Sequence, residues 1–318
     1  MNKILGFLIA IIIISCNDND KIENEISQIN VEVIVDRFDQ KFAKANLENL
    51  STLKLEYPHL FPEQFHDSVW IARIKDTIQQ ELSLEVNKAF PNFNTQEEEL
   101  HSLFQHVKYY FPDFITPKII TVTSDVDYRN SIIYADSLVL IGLDNYLGED
   151  HHFYEGISKY IKKNFTENQL VVDVASEITE RIVPRNKNRT FLSHIIYYGK
   201  ELYLKDKLIP FKTDAEKIGY RNDEFEWAIA NESEIWRFFV EKDLLFSTDS
   251  KLLERFVLPS PFSKFYLELD NESPGQLGQY IGWQIVRAYM NNNNVSLHEM
   301  LKTPADEIFS KSRFKPRK

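Results

Sequence analysis

The chain has 318 residues with 48 acidic and 37 basic side chains, a formal net charge of −11 at neutral pH. That balance excludes a nucleic-acid partner, because neutralising phosphates demands a basic face, and it excludes docking on anionic lipid by charge alone. Apolar content of 43%, with 23 Phe and 15 Tyr, is enough for a sizeable core, while only 9 Gly argue against a glycine-rich nucleotide loop.

The first sixteen residues, MNKILGFLIAIIIISC, have an export-signal pattern: Lys3, then an apolar run over 4–14, then Ser15-Cys16. The run is shorter than the roughly 20 apolar residues of a membrane span. Cys16 is the only cysteine of the chain, so no internal disulfide is available. Its place directly after the apolar run matches a bacterial lipobox. The expectation is a signal peptide over 1–15, cleaved before Cys16, with acyl chains on Cys16 anchoring the protein in a lipid bilayer. More than one acyl chain makes such anchoring stable. Residues 16–30 are polar and acidic and read as a flexible tether. Residues 31–318 read as a single helix-rich body, with 31–112 a candidate N-terminal helical lobe.

Along that body, residues 33–110 carry helical periodicity punctuated by Pro58, Pro62 and Pro91. Val69, Ile71, Ile74 and Ile78 recur near a helical period, as do Leu100, Leu103, Phe104 and Val107. The acidic run Glu97-Glu98-Glu99 suits a first helical turn. Two short β-branched or aliphatic runs, 119–123 and 137–141, read as strands, taken as antiparallel neighbours in a small sheet containing 118–124 and 137–143. Helix returns over 153–255, with breaks near Pro184 and Pro210, and a last long helix runs from about Gly275 to Asn291. The basic end KSRFKPRK reads as a frayed tail. The fold class expected is α+β, predominantly helical with a small sheet.

Gly278 and Gly282 lie four apart on the last helix. Glycine in a helix interior costs about 1 kcal/mol relative to alanine, so close approach of a neighbouring element must offset it. His151 and His152 resemble a metal pair, but adjacent helical residues diverge by about 100°, so they read as solvated loop or helix-start residues. Asp144, Gly148, Asp150 and Tyr154 share their segment without a role assigned by type or spacing.

Three segments carry a wider resemblance: LVLIGLDNYLGEDHHFY (138–154), FLSHIIYYGKELYL (191–204), and ANESEIWRFFVEKDLLFSTD (230–249) with SPGQLGQYIGWQIVRAYM (273–290). Together with the lipobox they resemble the family of the gliding-motility lipoprotein GldB, from the bacterial phylum that includes flavobacteria. The resemblance implies a cell-envelope lipoprotein required for gliding and for the linked type IX protein secretion, with envelope proteins of that machinery as partners. It leaves open which membrane holds the anchor.

More distantly, the order of a His-bearing helix, a Glu-bearing helix and a glycine-bearing helix is similar to predicted zinc-dependent proteases, implying a zincin-like architecture. Their HExxH helix places two imidazoles on one face with a glutamate base beside them. Here the pentad is His194-Ile195-Ile196-Tyr197-Tyr198, so the base position is Ile195 and the second ligand position is Tyr198. His194, Tyr198 and Glu232 therefore form a vestigial site, with no catalytic residue, metal or cofactor expected.

His194 falls on a stripe with Phe191, Ile195, Tyr198 and Leu202, and Glu232 on one with Phe225, Ile229, Trp236, Phe239 and Val240. Two readings follow. In the favoured one these polar groups satisfy each other, or Glu232 pairs with a nearby Tyr or Lys. In the other, a rearranged site around His194 and Glu232 binds zinc or performs zinc-dependent hydrolysis.

Overall fold

A computed structural model describes residues 18–268 and 270–317. The expected signal peptide over 1–15 and the expected lipidation at Cys16 lie outside the described residues. The stretch expected as a flexible tether is, from Asp18, helix α1 (Asp18–Ser27). It docks because Ile26 and Val31 are buried, while Glu23 meets the His106 ring at 3.2 Å and Glu25 accepts from the Tyr109 hydroxyl. Few but well-placed apolar residues outweigh its acidic composition.

Strand β1 (Val35–Asp36) leads into α2 (Phe38–Ala43) and α3 (Leu50–Glu56), and then α4 (Asp67–Lys75), α5 (Thr77–Ala89) and α6 (Asn94–Tyr110). The apolar series from Val69 to Ile78 is not one helix. Asp76 interrupts it by capping α5, accepting from the amides of Ile78 and Gln79 at 2.9 and 3.0 Å.

Strands β2 (Lys118–Val122), β3 (Ile132–Ala135) and β4 (Leu138–Gly142) complete a four-stranded mixed sheet of order β1-β2-β4-β3. The two expected strands are neighbours, yet they pair in parallel, Ile119 opposite Val139 and Thr121 opposite Ile141. The reversal comes from β3: the chain crosses to the far edge and returns through a two-residue turn at Asp136-Ser137, making β4 antiparallel to β3 alone. Asp136 takes φ 49° there, a conformation that aspartate tolerates.

The sheet separates two cores. Ile119, Val139 and Ile141 face the large one, with Val86 of α5 and Leu100, Leu103, Phe104 and Val107 of α6. Ile120 faces a smaller cluster made by Phe38, Leu50, Leu53, Tyr57 and Phe61. The N-terminal helices are thus divided between the two, with α2 and α3 on the small core and α5 and α6 on the large one.

Beyond the sheet come α7 (Lys159–Lys162), α8 (Leu170–Ile182), α9 (Phe191–Leu208), α10 (Asp214–Ile218), α11 (Asn222–Ala230), α12 (Glu232–Glu241), α13 (Lys251–Phe256), α14 (Leu277–Asn292), α15 (Leu297–Lys302) and α16 (Ala305–Ser312). Helix α9 is buried on most of its circumference and crosses α14 at backbone contact. A Cβ on Gly282 would overlap the carbonyl group of Ile195, and one on Gly199 would overlap the backbone of Gly282. The expected close approach at Gly278 and Gly282 is therefore present.

An ionic knot ties α9, α10 and α14 beside that crossing. Arg287 donates to both oxygens of Asp206 (2.8 and 2.7 Å) and of Asp214 (2.7 and 2.9 Å), while Asp206 also accepts from Trp283 at 2.9 Å. The basic end is not frayed: Phe314 packs edge-on against Trp236, and the Arg317 amide donates to Glu232 at 2.9 Å.

Candidate functional site

Helix α9 starts cleanly because the Thr190 hydroxyl caps it, accepting from the Ser193 amide at 3.3 Å. Its apolar residues Phe191, Ile195 and Leu202 are buried, Ile195 completely, against Gly278 and Gly282. His194 and Tyr198 occupy the edge of that stripe and are half-buried, sharing a face with Tyr197 and Glu201. Burial lowers the His194 pKa, favouring the neutral ring, and raises that of Tyr198, keeping its phenol protonated. Glu201, desolvated on the same face, is pushed up to about 7.

Glu232 opens α12 and is only 2% exposed. One carboxylate oxygen accepts from the Tyr280 hydroxyl at 2.7 Å and the other from the Arg317 amide. The pairing is thus with a tyrosine and not with His194. Helix geometry explains why. Gly278 and Gly282 of α14 face α9, and Tyr280, two residues on from Gly278, points about 200° away around the helix. Glu232 thus meets the face of α14 turned away from the glycines, and among the described residues it shares no hydrogen bond or ion pair with His194.

A second group of polar residues gathers where the parallel strands β2 and β4 end, the edge at which open sheets of this kind commonly place ligands. Asp144, fully buried, accepts from the amides of Ser124 (2.8 Å) and Val126 (2.7 Å) and from the Ser124 hydroxyl. Burial raises its pKa although these donors pull the other way.

The loop it holds is strained, with Asp125 at φ 59° and the β-branched Val126 at φ 58°. The strain presents Asp125 to Arg73, which grips it with two hydrogen bonds of 2.8 and 3.0 Å, and to Gln79 of α5. A cleft of about 570 Å³ opens there, walled by Arg73, Gln79, Leu82, Asp125, Val126 and Phe153.

Beside the cleft, the His151-His152 pair fastens the loop after β4 to α5. Their rings do not diverge: they stack with centroids 4.5 Å apart, because His151 precedes a 3-10 turn and caps it through its own ring nitrogen. His151 meets Glu85 at 3.2 Å and His152 meets Glu81 at 3.1 Å, one helical turn apart on α5. They are helix-start residues, as expected, with His152 exposed, and each also clasps α5. The hydrogen bond from His151 lowers the Glu85 pKa.

Tyr154 supports the loop from below, donating to the Asp144 carbonyl and accepting from the Leu147 amide. Gly148 takes φ 106°, a backbone conformation that fits glycine. Asp150 at the loop surface is exposed.

Chemically, each imidazole has its own carboxylate. Among the described residues no group of three or more His, Cys, Asp or Glu side chains is placed to hold a metal ion. The arrangement can clasp, and it can offer a polar cleft with fixed charges. Arg73, Gln79, Glu81 and Glu85 were not legible as partners of this loop. The available signal was the density of Asp, Asn, Gly and His directly after a strand in 138–154. No helix among the described residues is long and apolar enough to cross a membrane.

No curated protein and no solved structure matches the chain. A family model, described as gliding motility protein GldB, matches residues 19–316. That match takes in the α9–α14 crossing, the buried Glu232 and the clasped loop alike, and with it the chain belongs to the gliding motility protein GldB family.

Proposed function

We propose that this chain is a lipid-anchored, non-catalytic component of the gliding apparatus and of the protein secretion linked to it, working by recognition of envelope proteins. Family membership supplies the role in gliding. The observation that carries the non-catalytic reading is the packing of Ile195. The position where a zinc protease of the HExxH type keeps its base is here completely buried in the crossing with α14. Tyr198 stays a neutral phenol, and the Glu232 carboxylate is already engaged by Tyr280 and Arg317. Anchoring through Cys16 places the body in an aqueous compartment of the envelope.

The test is colony spreading in cells whose sole copy carries His194→Ala or Cys16→Ser. The expected result is normal spreading with His194→Ala and failure with Cys16→Ser, the latter protein being folded but unprocessed. A folded, correctly localised His194→Ala protein that cannot support gliding would overturn the non-catalytic reading. So would one equivalent of tightly held zinc lost on that substitution.

A further inference from the structure

Between the α8–α9 connection and the α15–α16 connection lies a cavity of about 330 Å³, walled by Arg185, Asn186, Lys187, Lys200 and Lys302, with Asp306 the one acidic residue of its lining. That is a concentration of positive charge in a chain whose net charge is −11. None of these four cations takes part in an ion pair among the described residues.

Lys200 is the unusual member. It is 9% exposed, and its ammonium donates to the carbonyls of Leu301 (2.9 Å) and Thr303 (2.8 Å). Those are neutral acceptors, so a buried cation lacks a counter-charge, a costly arrangement in a low-dielectric site. Burial accordingly lowers its pKa to about 8.

A second, independent observation points the same way. The Nδ2 of Asn186 is buried without an acceptor. Its orientation is fixed, because Oδ1 accepts from the Asn188 amide at 3.1 Å. The donor end therefore waits for an acceptor on the wall of a cationic cavity, where a group left unpaired ordinarily calls for a ligand or solvent.

We propose that this cavity binds a phosphate group, free as a small phosphate ester or carried on a lipid headgroup, held by Lys200, Arg185, Lys187, Lys302 and the Asn186 amide. A carboxylate would offset one of the four charges. A phosphate monoester carries about −1.5 to −2 and offers three acceptor oxygens, which suits several separate point donors. The volume lies at the lower end of that of small-ligand sites, roughly 300–1,000 Å³.

The test uses the full-length Cys16→Ser protein, so that no acyl chain contributes. Binding of inorganic phosphate is followed by phosphorus NMR titration at constant ionic strength set with chloride. Co-sedimentation is measured with vesicles containing phosphatidic acid, whose headgroup is a phosphate monoester, against phosphatidylcholine vesicles. The expected result is saturable phosphate binding weakened at least tenfold in the triple variant Arg185→Gln/Lys187→Gln/Lys302→Gln, whose side chains are exposed and leave the core intact. Asn186→Asp, which keeps the turn-forming oxygen and removes the donor, should weaken binding as well.

Selective sedimentation with phosphatidic acid, lost in the same variants, assigns the phosphate to a lipid. Phosphate binding without sedimentation assigns it to a soluble ester. Absence of binding in both arms, or binding undiminished in the triple variant, would overturn the proposal.

Discussion

Replacing Gly282 by alanine inserts one methyl group where the α9 and α14 backbones touch. The obstacle is the Ile195 carbonyl carbon and oxygen, which the new Cβ would overlap. A side chain can rotate away, but a helical carbonyl committed to its own hydrogen bond cannot. The two helices must therefore separate, disturbing contacts of Gly199, Gly278 and the fully buried Trp283 and Ile195. Overpacking typically costs about 1–3 kcal/mol, and a backbone obstacle places this case at the top of that range or above it, near 3–5 kcal/mol. Alanine regains about 1 kcal/mol of helix propensity. The net loss is about 2–4 kcal/mol, a large share of an ordinary stability of about 5–15 kcal/mol.

Gly278 provides the internal control. A Cβ there would lie 2.8 Å from the Phe256 carbonyl and 3.1 Å from Cγ2 of Ile195. The first atom belongs to the last residue of the six-residue α13 and the second to a side chain. The side chain can give by a few tenths of an ångström, but the Phe256 oxygen is backbone and forces a small helix shift, so Gly278→Ala should cost about 0–2 kcal/mol once propensity is counted, less than Gly282→Ala because its overlap is smaller. Thermal melts followed by far-ultraviolet circular dichroism should place Gly282→Ala roughly 3–7 °C below the wild type, with Gly278→Ala between the two. Equal melting of the two variants, or a Gly282→Ala midpoint within the error of the wild type, would refute the backbone-contact argument.

Four further outcomes are expected. Glu232→Ala removes the acceptor of the buried Tyr280 hydroxyl and of the Arg317 amide, and should destabilise by about 2–3 kcal/mol in denaturant melts. His194→Ala, whose side chain is half-buried, should lose under about 1 kcal/mol.

Asp144→Asn keeps the shape but replaces one acceptor oxygen with a donor facing the Ser124 or Val126 amide. It should release the strained 125–126 turn, seen as faster amide exchange there with little change in helices α9 and α14.

Glu201 and Asp173, which burial raises from 4.5 to about 7 and from 3.8 to about 6, contribute a pH dependence of their own. Their folded forms hold protons that the unfolded chain has released, so stability falls as pH climbs from about 4 to about 7. Glu201→Gln should flatten that slope, and an unchanged slope in urea melts across this window would refute the assignment.

The helical periodicity of α6 and α9, the two strands after residue 117, and the glycine pair of α14 were all legible, because each rests on local pattern: spacing, β-branching, or a residue unable to justify itself in a helix. What was not legible is non-local. Strands β2 and β4 read as antiparallel because nothing in either run announces that Ile132–Ala135 takes the edge and reverses the direction. The 16–30 stretch read as a tether because composition averages over Ile26 and Ile29, and two well-placed apolar residues suffice to dock a helix.

The two parts of the expected site fared differently for the same reason. The stripe analysis placed His194 and Glu232 each on an apolar face, but a stripe gives a direction around one helix and not the neighbour it meets. Helix α14 uses one face for Ile195 and Gly199 and the other for Glu232, and that division follows from its glycines. Where α9 would have needed a cleft to host chemistry, the glycines bring a second backbone into contact instead. The polar residues that remain accessible lie elsewhere, on the clasped loop after β4 and on the cationic wall beside Lys200. Both are made of loops carried by rigid elements, which suits the recognition role proposed above. Substitutions in those two loops should therefore separate function from folding, whereas substitutions along the α9–α14 crossing should impair both together.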